Sequence, residues 1–191
     1  MEYECQRYED LELKEEMVRD GVFRECTFVK CRFYELQVKN CTFRDCVFED
    51  CTIRSCRFQY TDASGNGFRR CTLVGMDWTQ VLREKSATLP FLYFEECTLK
   101  YNSFYHLKLR RFDFSGCDLS GSFFEGCRMA ESKFRDTELK DTAFSDNDLM
   151  GADFRDARNY ALSVENNRLK KARFLFPEAV NLLTASGIIV E

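Results

Sequence analysis

A five-residue period in bulky apolar residues is the feature that most constrains how this chain can fold. Every fifth residue from Phe23 to Trp78 is large and apolar except Ala63, and the same period runs without exception from Phe94 to Phe154. Side chains recur on one face about every 3.6 residues in a helix and every 2 in a strand. Neither matches a period of five, so the backbone must turn once in every five residues.

The position two places before each bulky residue is mostly small, and it holds ten of the eleven cysteines. Residues i and i−2 lie on the same side of an extended segment, so two residues of each five face inward and three face outward. A chain that turns in this way and stacks its coils at about 4.8 Å forms a β-solenoid. The small inward residues are Cys26, Cys31, Cys41, Cys46, Cys51, Cys56, Cys71, Cys97, Cys117, Cys127, Ser122, Ser132, Thr137, Thr142, Ala152 and Ala157.

Several segments resemble the repeats of the pentapeptide-repeat family. They are ADFRDA (152–157), DFSGCDLSG (113–121) and CTFRDCVFEDCTIRSCRF (41–58). This resemblance implies an all-β fold, a right-handed quadrilateral β-helix with four pentapeptides, about twenty residues, in each coil. We expect this pentapeptide-repeat solenoid to occupy residues 1–176.

The repeat changes register near its middle, because Trp78 and Phe94 are 16 residues apart instead of 15. The segment that fits neither register is TQVLREKSA, residues 79–87. A single inserted residue, held as a β-bulge, is favoured over a projecting loop. Either feature would be a candidate for recognition, since irregular segments often carry function. Its candidate residues are Thr79, Gln80, Leu82, Arg83, Glu84 and Lys85.

Residues 177–191 depart from the repeat and predict a short C-terminal helix with a tail. Pro177 is expected at the first helical position, Glu178 in the first turn and Gly187 at the end. Such a helix would cap the end of the solenoid. The apolar tail has nothing obvious to cover it, which favours a homodimer through this end. The expected interface residues are Phe176, Val180, Leu183, Ile188, Ile189 and Val190.

No pattern of catalytic or metal-binding residues stands out. Cysteines five apart do not have the C-x-x-C spacing of structural zinc sites, and we interpret them as small buried residues. His106 is the only histidine and falls at an outward position, so it builds no catalytic triad. We therefore expect no enzyme activity, no cofactor and no metal. The acidic first segment and the lack of a long apolar run favour a cytoplasmic protein without membrane contact.

The formal net charge of −4 argues against direct binding of nucleic acid. Acidity is concentrated in residues 112–157, which hold 11 acidic and 5 basic residues. The outward acids of this block could be a solvated face or a surface that binds a partner. The nine candidates are Asp113, Asp118, Asp136, Glu138, Asp141, Asp146, Asp148, Asp153 and Asp156.

Three further segments resemble the topoisomerase-protecting subgroup of the family, which includes Qnr-type quinolone-resistance proteins and immunity proteins. They are GMDWTQ (75–80), ARNYALSV (157–164) and KKARFLFPEAVNLL (170–183). The resemblance implies a dimeric DNA mimic that binds DNA gyrase or topoisomerase IV and protects it from quinolones or peptide toxins. The best-known resistance members carry larger projecting loops, so inhibition without rescue is a second possible outcome. The alternative function is a generic interaction scaffold with an unrelated protein partner.

Overall fold

The computed structural model describes residues 1–81, 89–185 and 187–189. Leu82, Arg83, Glu84, Lys85 and Val190, which the sequence analysis singles out, lie outside these residues. The chain forms two compact units, Met1–Thr98 and Leu99–Glu191. They are called the N-terminal and the C-terminal unit below, and each is a parallel β-solenoid.

The N-terminal unit is built from three-residue strands separated by turns. The strands are β1 Glu2–Glu4, β2 Arg7–Glu9, β3 Glu12–Lys14, β4 Met17–Arg19, β5 Val22–Arg24, β6 Thr27–Val29, β7 Arg32–Tyr34, β8 Gln37–Lys39, β9 Thr42–Arg44, β10 Val47–Glu49, β11 Thr52–Arg54, β12 Arg57–Gln59, β13 Asp62–Ser64, β14 Asn66–Arg69, β15 Thr72–Val74 and β16 Phe91–Glu95. A 3₁₀ helix spans Trp78–Val81.

These strands form four parallel sheets, in the orders β1-β5-β9-β13, β2-β6-β10-β14-β16, β3-β7-β11-β15 and β4-β8-β12. Tyr3 pairs with Phe23, and Phe23 pairs with Phe43, so the partners lie twenty residues apart. Four sheets and twenty residues per coil confirm the four-sided β-helix expected from the repeats. The first coil begins at Glu2. Its repeats are difficult to recognise in the sequence, because Gln6 and Glu16 occupy positions where later repeats have a small residue.

The core of each unit is a set of stacked rings. In the N-terminal unit Phe48 stacks on Phe28 and Phe68, with ring centroids 4.8 and 4.9 Å apart. In the C-terminal unit Phe134 lies between Phe114 and Phe154, at 5.3 and 4.7 Å. The rings of neighbouring coils stack in parallel at the coil spacing, and this confirms the predicted inward positions.

The small inward residues do more than leave space for the rings, because most carry a hydrogen-bond donor. Cys51 Sγ lies 3.3 Å from the carbonyl oxygens of both Phe28 and Glu49. Ser132 Oγ donates to the carbonyl oxygen of Leu109 at 2.7 Å. A buried carbonyl without a partner costs stability. The cysteine and serine side chains at these positions therefore give buried backbone carbonyls a hydrogen-bond donor.

Most turns contain a residue in the left-handed region, two places after the bulky residue. Glu25 has a φ of 53° and Asp141 a φ of 57°. Asparagine, aspartate and glycine tolerate this conformation best. The outward acids of the sequence are therefore partly explained by turn geometry, and this matters for their interpretation below.

The C-terminal unit has one continuous sheet and three walls joined by single bridges. The sheet contains β17 Ser103–Tyr105, β18 Phe123–Glu125 and β19 Ala143–Ser145. Elsewhere the backbone turns more tightly: Phe112 N donates to Leu109 O at 3.1 Å, and Ser132 N donates to Met129 O at 3.1 Å. Such i to i+3 hydrogen bonds close β-turns at these corners and shorten the extended segments between them.

The register break is larger than the sequence analysis expects. Phe68 pairs with Phe94, and Thr72 pairs with Thr98, so partners here are 26 residues apart rather than twenty. A bulge between Asn66 and Gly67 absorbs one of the six additional residues and leaves Leu92 exposed. The prediction of a single inserted residue at 79–87 was wrong, because a period of five cannot distinguish an insertion of one residue from an insertion of six.

Thr79 and Gln80, the described members of the irregular segment, belong to the 3₁₀ helix Trp78–Val81. Thr79 N and Oγ1 both donate to Asp77 Oδ1, at 3.0 and 2.6 Å. Phe58 N donates to Gln80 Oε1 at 3.1 Å. Thr79 therefore binds the residue just before the helix, and Gln80 binds β12, the end strand of its sheet. A role for them in recognition stays a prediction.

The last coil closes with Phe174 stacked on Phe154 at 5.1 Å. In this coil Tyr160 is buried in place of the neighbouring Asn159, which is exposed. A 3₁₀ turn at Glu178–Val180 leads into α1, Asn181–Ala185. After α1, Ile188 N donates to Leu183 O and Gly187 N donates to Thr184 O, both at 3.0 Å. With Gly187 at φ +76°, this is a Schellman motif, and it confirms the predicted glycine stop.

Candidate functional site

The bridges of the C-terminal unit define four walls. Wall 1 is the sheet of β17, β18 and β19. Wall 2 aligns Lys108, Arg128, Asp148 and Arg168; wall 3 aligns Asp113, Lys133, Asp153 and Arg173; wall 4 aligns Asp118, Glu138 and Arg158. Each pentapeptide places two residues outward on a wall and one at the following corner.

The nine acidic candidates all lie at the surface, but they are distributed around the coil. Asp148 lies on wall 2, Asp113 and Asp153 on wall 3, and Asp118 and Glu138 on wall 4. The others are corner residues: Asp136 and Asp156 between walls 3 and 4, Asp141 between walls 4 and 1, and Asp146 between walls 1 and 2. A run of acids in the sequence therefore winds around the unit and does not form one stripe. Their role in binding a partner stays a prediction.

Six of these nine acids form ion pairs, mostly with a cation of a neighbouring coil. The pairs are Asp113–Lys133 at 3.1 Å, Asp118–Lys100 at 2.9 Å, Glu138–Arg158 at 3.7 Å, Asp148–Arg168 at 3.6 Å, Asp153–Arg155 at 2.6 Å and Asp156–Arg135 at 3.5 Å. Within the described chain, Asp136, Asp141 and Asp146 have no cation within 4.0 Å. These three corner residues contribute most to the negative potential.

Hydrogen bonds from neighbouring side chains lower the pKa of several wall carboxylates. The hydrogen bonds from Arg155 lower the pKa of Asp153. Burial acts to raise the pKa of Asp118, but the hydrogen bonds from Ser120 and Lys100 outweigh it and lower this pKa. Asp118 and Asp153 are therefore ionised at neutral pH, while Lys100 and Arg155 balance their charge.

Wall 1 is the wall on which negative charge has no such balance. Its positions 101–106, 121–126 and 141–146 include Glu125, Asp141 and Asp146 but no lysine or arginine. The same wall carries three outward aromatic residues. Tyr101 is 66% exposed, and the rings of Tyr105 and Phe123 lie 5.5 Å apart. The combination of acids and exposed rings makes wall 1 the candidate interaction surface.

Two glycines shape the edges of wall 1. A Cβ atom on Gly121, which has a φ of +68°, would lie 2.5 Å from the ring of Tyr101. A Cβ atom on Gly126 would overlap the ring of His106 in the same way. The absence of side chains at these corners allows the rings of Tyr101 and His106 to lie against the next coil.

Sequence reasoning missed Glu125, Tyr101, Tyr105 and Phe123 as members of this surface. Tyr101, Gly121 and Asp141 occupy one corner column, because they are twenty residues apart. Residues that share a column could have been found in the sequence by comparing every twentieth residue instead of every fifth.

The cysteines of the structure show no arrangement for chemistry. All eleven are free thiols, and all except Cys5 are buried. Burial raises the pKa of Cys46 to about 12 and that of Cys127 to about 11. Among the described residues, no group of three His, Cys, Asp or Glu side chains could hold a metal ion.

We expect a chromogenic thiol reagent to modify only Cys5 in the native protein at pH 8, and all eleven cysteines in denaturant. The other ten thiols are buried and so inaccessible to the reagent, and reaction requires an accessible thiolate. Absorbance after mixing measures the number of reactive thiols. Rapid native reaction of two or more would contradict the burial of the cysteine columns.

A four-sided parallel β-helix with one pentapeptide on each side is the fold of pentapeptide-repeat proteins. The family model for pentapeptide repeats matches residues 108–146, in eight copies. The chain thus has the pentapeptide-repeat fold, and its C-terminal unit contains the recognised repeats. None of the described helices is long and apolar enough to cross a membrane.

Two solved structures similar to this chain are trypsin-treated variants of QnrB1, which is described as a plasmid-mediated fluoroquinolone resistance protein. The first is 18% identical, has a TM-score of 0.70, and aligns over 96% of this chain and 99% of that chain. The second is 17% identical, has a TM-score of 0.63, and aligns over 97% and 99%. At this identity the likeness shows a common fold. No curated protein matches the sequence.

Proposed function

We propose that this protein binds DNA gyrase, or topoisomerase IV, through wall 1 and the adjoining wall 4 of its C-terminal unit. By occupying the DNA-binding surface, it would protect the enzyme from quinolones or peptide toxins. The observation that carries the proposal is the wall with three acids, three outward rings and no cation at positions 101–106, 121–126 and 141–146. The fold shared with a fluoroquinolone resistance protein supports it.

The physical basis is charge complementarity. Duplex DNA carries one negative charge for about every 1.7 Å of its axis, so a surface that binds DNA is basic. Wall 1 presents Glu125, Asp141 and Asp146 to such a surface, and Asp136 adds charge across wall 4. Tyr101, Tyr105 and Phe123 supply the aromatic contacts that stabilise protein interfaces and that DNA backbone lacks. The proposed role is binding alone, within the cytoplasm, and it requires no catalytic residue.

We expect the protein to restore supercoiling by gyrase in the presence of an inhibitory quinolone. Relaxed plasmid, gyrase and drug are incubated with increasing protein, and the recovered supercoiled fraction is measured on a gel. A bovine albumin titration controls for nonspecific protein effects. Inhibition of supercoiling without rescue would keep the binding but contradict protection. Neither binding nor any effect at stoichiometric excess would leave an interaction scaffold with another partner.

We also propose that two copies associate through the C-terminal segment. Phe176 is 83% and Ile189 is 84% exposed, and Leu183 and Ile188 are also exposed. Val180 is half-buried, as are Ala179 and Leu182. Contiguous exposed apolar residues of this kind mark interaction sites. A second copy of the chain would cover these residues with its own C-terminal segment, because the two copies of a symmetric dimer use the same surface. The dimer would then carry two acidic surfaces.

Replacement of both Phe176 and Ile189 by aspartate should convert the dimer into a monomer at micromolar concentration. Each aspartate would place an unpaired charge in the apolar interface, which is strongly unfavourable. Sedimentation velocity gives the mass directly. Leu92→Asp, at an exposed apolar residue of the N-terminal unit, is the control and should remain dimeric. A wild-type protein that sediments only as a monomer would end the proposal.

A further inference from the structure

Wall 2 has the opposite charge to wall 1. Its outward positions and the corner that follows the wall carry seven cations and two acids, which sum to +5. The cations are Lys108, Arg110, Arg111, Arg128, Arg168, Lys170 and Lys171, and the acids are Glu131 and Asp148. All seven cations are exposed. The C-terminal unit therefore separates its charges onto different walls.

Both acids of wall 2 are already engaged. Glu131 accepts hydrogen bonds from Arg110 at 2.6 Å and Arg111 at 2.8 Å, which lower its pKa. Asp148 lies 3.6 Å from Arg168. Lys108, Arg128, Lys170 and Lys171 form no ion pair within the described part of the chain. At least four positive charges are thus available to an anionic ligand.

The cations have a regular spacing along the wall. Neighbouring coils of this unit are 4.4 to 5.3 Å apart, measured between the centroids of stacked rings. Lys108 and Arg168 lie three coils apart on the wall. They therefore span about 14 Å at the usual strand spacing. One strand of duplex DNA places about four phosphates along this length, at 3.4 Å of rise per nucleotide.

We propose that wall 2 binds the phosphate backbone of nucleic acid, without preference for sequence. Interfaces with proteins are enriched in aromatic residues and depleted of lysine, whereas interfaces with nucleic acid are strongly positive. Apart from Met150 and Ala130, the wall has no outward apolar side chain, so it lacks the centre of a protein interface. Its flat surface contacts phosphates but cannot enter a groove, where bases are read.

The net charge of −4 led us to expect no contact with nucleic acid, and binding by wall 2 differs from that expectation. Net charge averages over all walls, while an extended anionic ligand experiences the potential of the surface it meets. The proposal stands independently of the gyrase proposal, because it concerns a different wall. If both hold, one surface of the unit contacts the enzyme while another contacts its DNA.

Fluorescence anisotropy with a labelled duplex of mixed sequence tests the proposal. With four phosphate contacts, the logarithm of the binding constant should fall with the logarithm of salt at a slope of about −3.6. Binding should then weaken about 150-fold between 50 and 200 mM salt. An unrelated second duplex should bind equally well. No change of anisotropy up to about 100 µM protein at low salt would overturn the proposal, since nonspecific binding falls within this range.

Neutralisation of unpaired cations locates the site. Lys108→Gln, Arg128→Gln and Lys170→Gln together should weaken binding at least tenfold and reduce the salt slope by about 2.7, because each contact contributes about 0.9. The matched control changes Lys39, Arg54 and Arg57 of the N-terminal unit to glutamine and should bind as the wild type does. These three cations form no ion pair with the residues that the structure describes. Circular dichroism confirms that both variants are folded.

Equal loss in the two variants would overturn the assignment to wall 2, because it would reflect net charge alone. A second copy of the chain is the other possible occupant. Salt-sensitive self-association that the wall 2 variant abolishes, with no binding of duplex by the wild type, would assign the wall to that copy and overturn the proposal. Neither measurement uses gyrase, so failure here leaves the proposed function to its own test.

Discussion

Phe124→Ala is expected to lower the free energy of unfolding of the C-terminal unit by about 3 to 5 kcal/mol. Phe124 is completely buried and stacks on Phe104 at 4.4 Å and on Phe144 at 5.0 Å. Its edge also contacts Phe114 and Phe134. The backbone hydrogen bonds of wall 1 fix the spacing of the coils, so the neighbours cannot close over the cavity. Loss of the ring therefore costs both its burial and the space that it leaves.

Phe123→Ala is the matched control, because the two residues are adjacent in β18 and differ in the direction of their side chains. Phe123 faces outward and contacts only Tyr105 among the rings. Loss of a cross-strand pair should cost less than about 1 kcal/mol. Urea unfolding followed by circular dichroism gives both values. Similar losses in the two variants would show that the ring column does not carry the stability of this unit.

Conversion of Asp136, Asp141 and Asp146 to asparagine should weaken the complex with gyrase at least tenfold. Within the described residues these acids have no cation within 4.0 Å, so their removal takes away negative charge that no ion pair balances. All three occupy left-handed corner positions, at φ 53°, 57° and 56°, which asparagine tolerates as well as aspartate. The fold should therefore be unaffected, and the change should appear mainly in the association rate and its salt dependence.

The control for this prediction removes the same number of charges from other walls. Asp113→Asn, Asp148→Asn and Asp153→Asn alter walls 2 and 3, where each acid is paired with a cation. Surface plasmon resonance with immobilised gyrase compares the two triple variants at several salt concentrations. Equal affinity of both variants would show that walls 1 and 4 with their corners are not the contact, and the proposed function would then need another surface.

Some interior positions cannot be recognised from an apolar period. Asn147 is buried at the small inward position, where its Oδ1 accepts from Cys127 N at 2.9 Å and its Nδ2 donates to Phe124 O at 3.0 Å. Asn167 repeats the arrangement one coil later. From the sequence alone, an asparagine in a charged segment is expected to lie at the surface. Only the backbone groups around it show that the amide satisfies a donor and an acceptor at once.

The sequence by itself determined which side chains face inward, because burial follows from alternation and turning within a single pentapeptide. Phe114, Phe124 and Phe134 were placed correctly for this reason. The tertiary structure decided which outward residues become neighbours, since that depends on how many residues complete a coil and on where a longer coil interrupts them. Asp141 and Asp146 are five residues apart and occupy different corners, whereas Lys108 and Arg168 are sixty apart and share a wall. Electrostatic interactions depend on distance in space, so the acidic and the basic surfaces could be identified only from the folded structure.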